Sequence, residues 1–276
     1  MKGTATSQGH ITGFFKIYSN GSTGAGFNIL NGMKTTAEVK KARKNNYKIF
    51  INEKKTNIFT TSQKVIQKIL TKTKQKFEII VKHETEFPIG YGLGISGAGA
   101  LSLANALNKA MKLKISKKEI VKIATEAEIE AGTGLGDVIA EQYNGTLIGL
   151  PPYPSKKASK IRNKYKYAVF GFFGPLETKK IIKNKKLKSQ INKIGSYCMQ
   201  SLSKKQSIEN FLHLSRIFAI ETNLASKQVR KVMNAIPQSS MAMLGNTVFV
   251  LTNNPKKIEK QLKKYSKKTA IAKISD

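Results

Sequence analysis

From residue 11 to residue 51 apolar positions alternate with polar ones and are broken up by glycines, closing on the run YKIFI at 47–51. That pattern predicts strands joined by tight turns, so the chain should open in β structure. Between Thr61 and Thr71 the period changes. Val65, Ile66, Ile69 and Leu70 recur at helical spacing, and FEIIV at 77–81 then returns to a strand. Past a glycine-rich segment at 90–99, Ala100, Ala104, Leu107 and Met111 fall on one face of a helix. A second helix opens directly after it. Ser116 and Glu119 form a capping box there, and the apolar stripe of Ile120, Ile123, Ala124, Ala127 and Ala131 ends near Gly132.

Prolines, serines and lysines gather in PPYPSKKAS at 151–159. This reads as the connection between an N-terminal lobe, residues 1–155, and a C-terminal lobe, residues 156–276. The second half predicts a strand at 167–173, a helix at 208–219 and a strand at 246–251. A helix marked by Ile258, Leu262 and Tyr265 follows, and then a last strand, TAIAKI. The fold class is α+β in two lobes. No apolar stretch approaches the roughly 20 residues of a membrane span. The opening MKGTATSQGHITG lacks the apolar core of a secretory signal, so a cytoplasmic location is expected. The one cysteine, Cys198, leaves no internal disulfide to form, which fits a reducing compartment.

Charge raises a separate question, because Lys and Arg number 49 against 16 Asp and Glu, a net charge of +33. Such a balance points to nucleic acid when it is concentrated on one surface. Here it is spread over KKARKNNYK, KTKQK, KNKKLK and KKYSKK, and only Arg43, Arg162, Arg216 and Arg230 are arginine. Base readout favours the flat guanidinium, so solvated lysine faces are the better reading and no nucleic-acid partner is expected. A basic binding protein stays open as the alternative of another class. The same positive field would draw an anionic ligand from solution.

The stretch PIGYGLGISGAGALSLANAL at 88–107 runs from glycines directly into a helix. Glycines at 90, 92, 94, 97 and 99 let a ligand approach the backbone, and the N–H groups of the first helical turn point outward with the positive end of the helix dipole behind them. Gly90, Gly92, Leu93, Gly94, Ile95, Ser96, Gly97 and Ala98 are therefore candidates for holding phosphate, and Ser96 offers a hydroxyl to a phosphate oxygen or to Mg²⁺. A glycine turn capping a core helix without a ligand is the plainer alternative. No Gly-Lys-Ser/Thr closes the segment, so it is not a Walker loop, and it lacks the context of a dinucleotide fingerprint.

The segment resembles the second motif of the GHMP small-molecule kinases, Pro-x-x-x-Gly-Leu-Gly-Ser-Ser-Ala-Ala, through Pro88, Gly92, Leu93, Gly94, Ser96 and Ala98. Ile95 replaces the first serine of the motif and Gly97 its first alanine. Further stretches resemble the pantoate kinase branch of that superfamily. They are GHITGFF at 9–15, GSTGAG at 21–26, TGLGD at 133–137, GPLETK at 174–179, FAIET at 218–222 and MLGNTVF at 243–249. The resemblance implies a GHMP-kinase fold, its N-terminal mixed α/β lobe carrying the phosphate loop and its C-terminal lobe ferredoxin-like. It also implies ATP and Mg²⁺ as cofactors and transfer of phosphate to pantoate in coenzyme A biosynthesis, with another small hydroxy acid or alcohol as the alternative acceptor. Homodimers are common among such kinases.

The same resemblance assigns Asp137 beside the acceptor hydroxyl, as base or orienter; the competing reading is an Asp that caps the next helix. Three acids, Glu126, Glu128 and Glu130, compete for the metal. The apolar stripe places Glu128 at the flank of the buried face and Glu126 further out, and Glu128 stands nine positions before Asp137, as in pantoate kinases. Mg²⁺ is accordingly expected at Ser96 and Glu128. For substrate the resemblance nominates Ser22 and Thr178, which otherwise read as turn residues. His10 is a further candidate, with a buried structural histidine as its alternative. Two positions depart from the family pattern: Thr125 stands where a histidine is usual and Gly149 where an arginine is usual.

Overall fold

The computed structural model describes residues 1–19, 21–56, 59–134, 136–150, 158–176, 181 and 183–275. In chain order these form β1 (Lys2–Tyr18), β2 (Gly21–Lys41), β3 (Asn46–Ile51), β4 (Lys54–Thr56), α1 (Thr60–Leu70), β5 (Phe77–Glu84), α2 (Ile95–Met111), α3 (Lys117–Ala131) and α4 (Asp137–Ala140). There follow β6 (Thr146–Leu150), β7 (Ser159–Ile161), β8 (Tyr167–Gly174), α5 (Lys185–Lys204), α6 (Ile208–Glu221), α7 (Lys227–Ala235), β9 (Ser239–Met241), β10 (Asn246–Thr252), α8 (Pro255–Leu262) and β11 (Lys268–Lys273). The chain falls into two compact units. The first is Met1–Gly9, Asn31–Pro88 and Gly94–Gln142; the second is His10–Leu30, Ile89–Leu93 and Tyr143–Asp276.

In unit 1 the later part of β2 pairs antiparallel with β5, β3 runs parallel to β5, and β4 returns along β3. Helices α1, α2 and α3 pack on one another. Their apolar stripes join strand residues such as Val39, Ile49, Ile79 and Val81 in one core with Ile66, Leu103, Leu107 and Ile123. Each such side chain taken from water contributes roughly 1.5–3 kcal/mol. The Ser116 side chain accepts from the Glu119 amide at the start of α3, and Gly132 closes that helix in the left-handed region.

Unit 2 holds a four-stranded antiparallel sheet in the order β11-β8-β10-β9. Its core is aromatic: Phe27 packs edge-on against Phe249 at 5.2 Å, and Phe15 against Phe218 at 5.4 Å. The fold is thus a two-lobed α+β arrangement, with a mixed sheet-and-helix N-terminal lobe and an antiparallel, ferredoxin-like C-terminal lobe. One local expectation is corrected. The glycines of residues 11–51 do not mark a series of tight turns but lie inside two long strands. A side-chain carbon at Gly24 would collide with the Phe14 carbonyl, and one at Gly26 with the Ile11 carbonyl, so close backbone approach accounts for them. Residues 151–157 of the expected connection between lobes lie outside the described residues.

Candidate active site

Between Pro88 and Ile95 the chain turns on three glycines with positive φ, Gly90 at 83°, Gly92 at 80° and Gly94 at 68°. Gly94 is the N-cap of α2, and the first intrahelical bond runs from the Ala98 amide to its carbonyl, 2.9 Å. Within unit 2, Gly92 lies so close to the β9–β10 turn that a side-chain carbon there would stand 2.8 Å from the Ala242 carbonyl oxygen. Within unit 1, the amides of Ile95, Ser96 and Gly97 form the open first turn of α2, the place where a helix receives an anion. The Ser96 hydroxyl is oriented by Thr61, Oγ to Oγ1 3.0 Å, and Thr61 in turn meets the Thr133 hydroxyl at 2.8 Å.

Three acids, Glu128, Asp137 and Glu141, sit near that turn on separate terms from the rest. Glu128 on α3 is 0% exposed, and among the described residues neither of its carboxylate oxygens has a hydrogen bond of good geometry. Burial, then the charge of Asp137, holds its carboxyl well above the usual range, and the nearby amides of Val138, Gly136 and Asp137 offset this only in part. Asp137 opens α4; Gly136 is the N-cap there and no side chain caps the helix, so the capping role is not what Asp137 does. Its carboxyl is pushed up to about 6 by burial. Glu126 and Glu130, by contrast, pair with Lys68 at 3.1 and 2.6 Å near the surface.

The sequence comparisons fit this arrangement. The model for the GHMP kinases N terminal domain matches residues 59–145, which contain the glycine turn, Ser96 and all three acids. A pantoate kinase from Methanocaldococcus jannaschii is 35% identical over 88% of this chain and 90% of its own length. The chain belongs to the GHMP kinase superfamily. A pantoate kinase from Methanospirillum hungatei is 30% identical over 95% of this chain and 90% of its own. A solved structure described as a phosphotransferase related to the CoA biosynthesis pathway shares the fold, with a TM-score of 0.88 at 24% identity over 100% of this chain and 96% of that one. As a GHMP kinase this protein is a small-molecule phosphotransferase acting on a hydroxyl-bearing acid or alcohol.

The remaining predicted residues of this kinase are placed as follows. His10 is 4% exposed, its Nδ1 lies 2.6 Å from Asn28 Oδ1, and burial lowers it to about 4, which is the buried structural histidine left open as its alternative. Ser22 is half-buried on β2, and Thr178 lies outside the described residues. Thr125 is fully buried with its hydroxyl donated to the Val121 carbonyl, 2.8 Å. Gly149 has φ 67°, a backbone that suits glycine and not arginine.

Glu141, which the sequence reading passed over, joins the acids. It is 3% exposed, among the described residues neither of its oxygens has a hydrogen bond of good geometry, and burial followed by the charges of Glu128 and Asp137 raises it well above the usual range. Its position four residues after Asp137, on one face of a helical turn, is the signal that could have pointed to it. The unpaired, buried oxygens of Glu128 beside the Ser96 turn fit a hard divalent cation, which takes oxygen ligands and few protein ones. Among the described residues no three His, Cys, Asp or Glu side chains converge closely enough to hold an ion by themselves. An ion held there would need phosphate oxygens and water to complete its shell.

Proposed function

We propose that this GHMP kinase transfers the γ-phosphoryl group of ATP to the primary hydroxyl of pantoate, giving 4-phosphopantoate for coenzyme A synthesis. The observation that carries the reading is the pairing of buried Glu128 with half-buried Asp137 beside the first turn of α2. The extent of likeness supports pantoate in particular. The general kinase model covers residues 59–145, whereas the likeness to two pantoate kinases runs through 90% of each relative's length.

In this reading the amides of Ile95 to Ala98 hold phosphate oxygens. Asp137, at about 6, is suited to take the hydroxyl proton near neutral pH as the acceptor oxygen attacks phosphorus. The bond from the γ-phosphorus to the bridging oxygen breaks, and ADP leaves with its electron pair. Glu128 and Ser96 would hold Mg²⁺, which would supply charge to offset the phosphates. A groove of about 970 Å³ in unit 1, walled in part by Phe50, Asn52 and residues 82–86, has the size of a small-molecule site and adjoins Pro88 in sequence, which suits the nucleoside end of ATP.

Glycine at 149 and threonine at 125 favour a second reading, in which the acceptor is another small hydroxy acid or alcohol. ADP formation with D-pantoate, shikimate, homoserine and mevalonate as acceptors separates the two. The highest kcat/KM is expected for D-pantoate, and a higher value for any other acceptor overturns the assignment.

A further inference from the structure

Two buried glutamates reach the same point on α2. A side-chain carbon built on Gly97 would stand 2.9 Å from Glu128 Oε1 and 3.0 Å from Glu141 Oε1, so the space a methyl group would fill is already taken by carboxylate oxygen. This gives a physical reason for glycine at 97, where the resembled motif carries alanine. Gly134 closes the other side, since a side-chain carbon there would run into the Glu128 carboxyl. Among the described residues no hydrogen bond of good geometry closes on any of the four glutamate oxygens. The amides of Val138, Gly136 and Asp137 face Glu128, and the Ala98 amide and the Ser7 hydroxyl face Glu141, and they offset the burial of the two acids only in part.

Two carboxylates buried side by side with no cation beside them would be costly as a permanent feature of a core. Arginine, histidine or lysine partners of the kind that hold Glu126 and Glu130 are lacking for them among the described residues. A hard divalent cation supplies what is missing, and one or two carboxylates plus phosphate is the usual protein share of a magnesium shell.

We propose that Glu141 is a second carboxylate ligand, beside Glu128, for the divalent cation that accompanies the nucleotide. The proposal rests on the kinase reading and adds to it a residue that neither the motif nor the spacing of the glycine turn contains. Its consequence is an unusually acidic cation site, in which nucleotide and cation bind with strong mutual dependence.

The test is Mn²⁺ binding, followed by electron paramagnetic resonance of the free ion, to wild type and Glu141→Gln in the presence of a non-hydrolysable ATP analogue. Glutamine keeps the shape and removes the charge. The Mn²⁺ dissociation constant should rise by at least about tenfold. The melting temperature of the cation-free protein should rise or hold, because a buried unpaired charge has been removed. A dissociation constant like that of wild type overturns the proposal, and so does a loss of Mn²⁺ binding that comes with a loss of folded structure by circular dichroism. ADP formation by wild type is measured in parallel. Wild type that turns over and binds Mn²⁺ while Glu141→Gln binds it equally well sinks Glu141 alone. Wild type that does neither sinks the kinase reading with it.

Discussion

Around His83 and around Glu128, unit 1 buries polar side chains to the same depth, and the two clusters are completed differently. His83 is 1% exposed, and both ring nitrogens are engaged, Nδ1 with the Thr35 hydroxyl at 2.8 Å and Nε2 with the Ser62 hydroxyl at 2.9 Å. Thr35 passes the chain on to Ser102 at 2.6 Å, and Ser102 donates to the Gly99 carbonyl at 3.3 Å. That network ties β2, β5, α1 and α2 together with its donors and acceptors matched, the condition under which buried polarity fixes a fold. The cluster of Glu128 and Glu141 has four carboxylate oxygens, none of which finds a hydrogen bond of good geometry or a cation among the described residues. A satisfied network explains itself; an unsatisfied one of this size calls for a further partner, and the proposed cation supplies one.

The largest way to break this contrast is at Glu128. Glu128→Gln should lower turnover by about 100-fold while leaving the melting temperature equal or higher, as read by ADP formation and thermal unfolding. Thr35→Val should do the reverse. It strands His83 Nδ1 and the Ser102 hydroxyl, so urea unfolding should show a loss of about 1–3 kcal/mol with kcat near wild type. Acid separates the clusters by sign. Burial holds His10 at about 4 and His83 at about 3, below the 6.5 of an unfolded histidine, so their stabilising effect is present above pH 6.5 and is lost as pH falls toward 4. The raised acids Glu128 and Glu141 act oppositely: they cost stability near neutrality and cost less as they take up protons. With both replaced by glutamine, the urea midpoint should therefore fall more steeply than that of wild type between pH 6.5 and 4. The smallest effect is expected at Glu126, whose partner Lys68 is part-exposed; Glu126→Ala should change stability by less than about 1 kcal/mol and leave turnover unchanged.

The legible parts of the sequence were those where one local rule operates alone. The capping box at Ser116, the glycine end of α3 and the apolar period of α1 each act within a few residues, and each appears where expected. The helix α5 was missed because its buried positions, Ile191, Gly195, Cys198 and Leu202, include a glycine and a cysteine among lysines, which blunts the apolar stripe. The helix α7 buries only Val229, Val232 and Met233, too few to stand out from its polar text. The short strands β6, β7 and β9 depend on partners distant in sequence. At the site, Ser96, Glu128 and Asp137 could be named from the spacing and the resemblance. The third acid, Glu141, needed the coordinates, because its significance lies in what it fails to bond to.

The claim that buried acids beside α2 perform the chemistry is tested most directly at Asp137. Single-turnover phosphoryl transfer from ATP to the best acceptor found should be measured for wild type and Asp137→Ala, with nucleotide binding followed on the same samples. A fall in rate of about 10²–10⁴-fold with nucleotide affinity retained is predicted. Transfer by the variant at the wild-type rate would contradict the account.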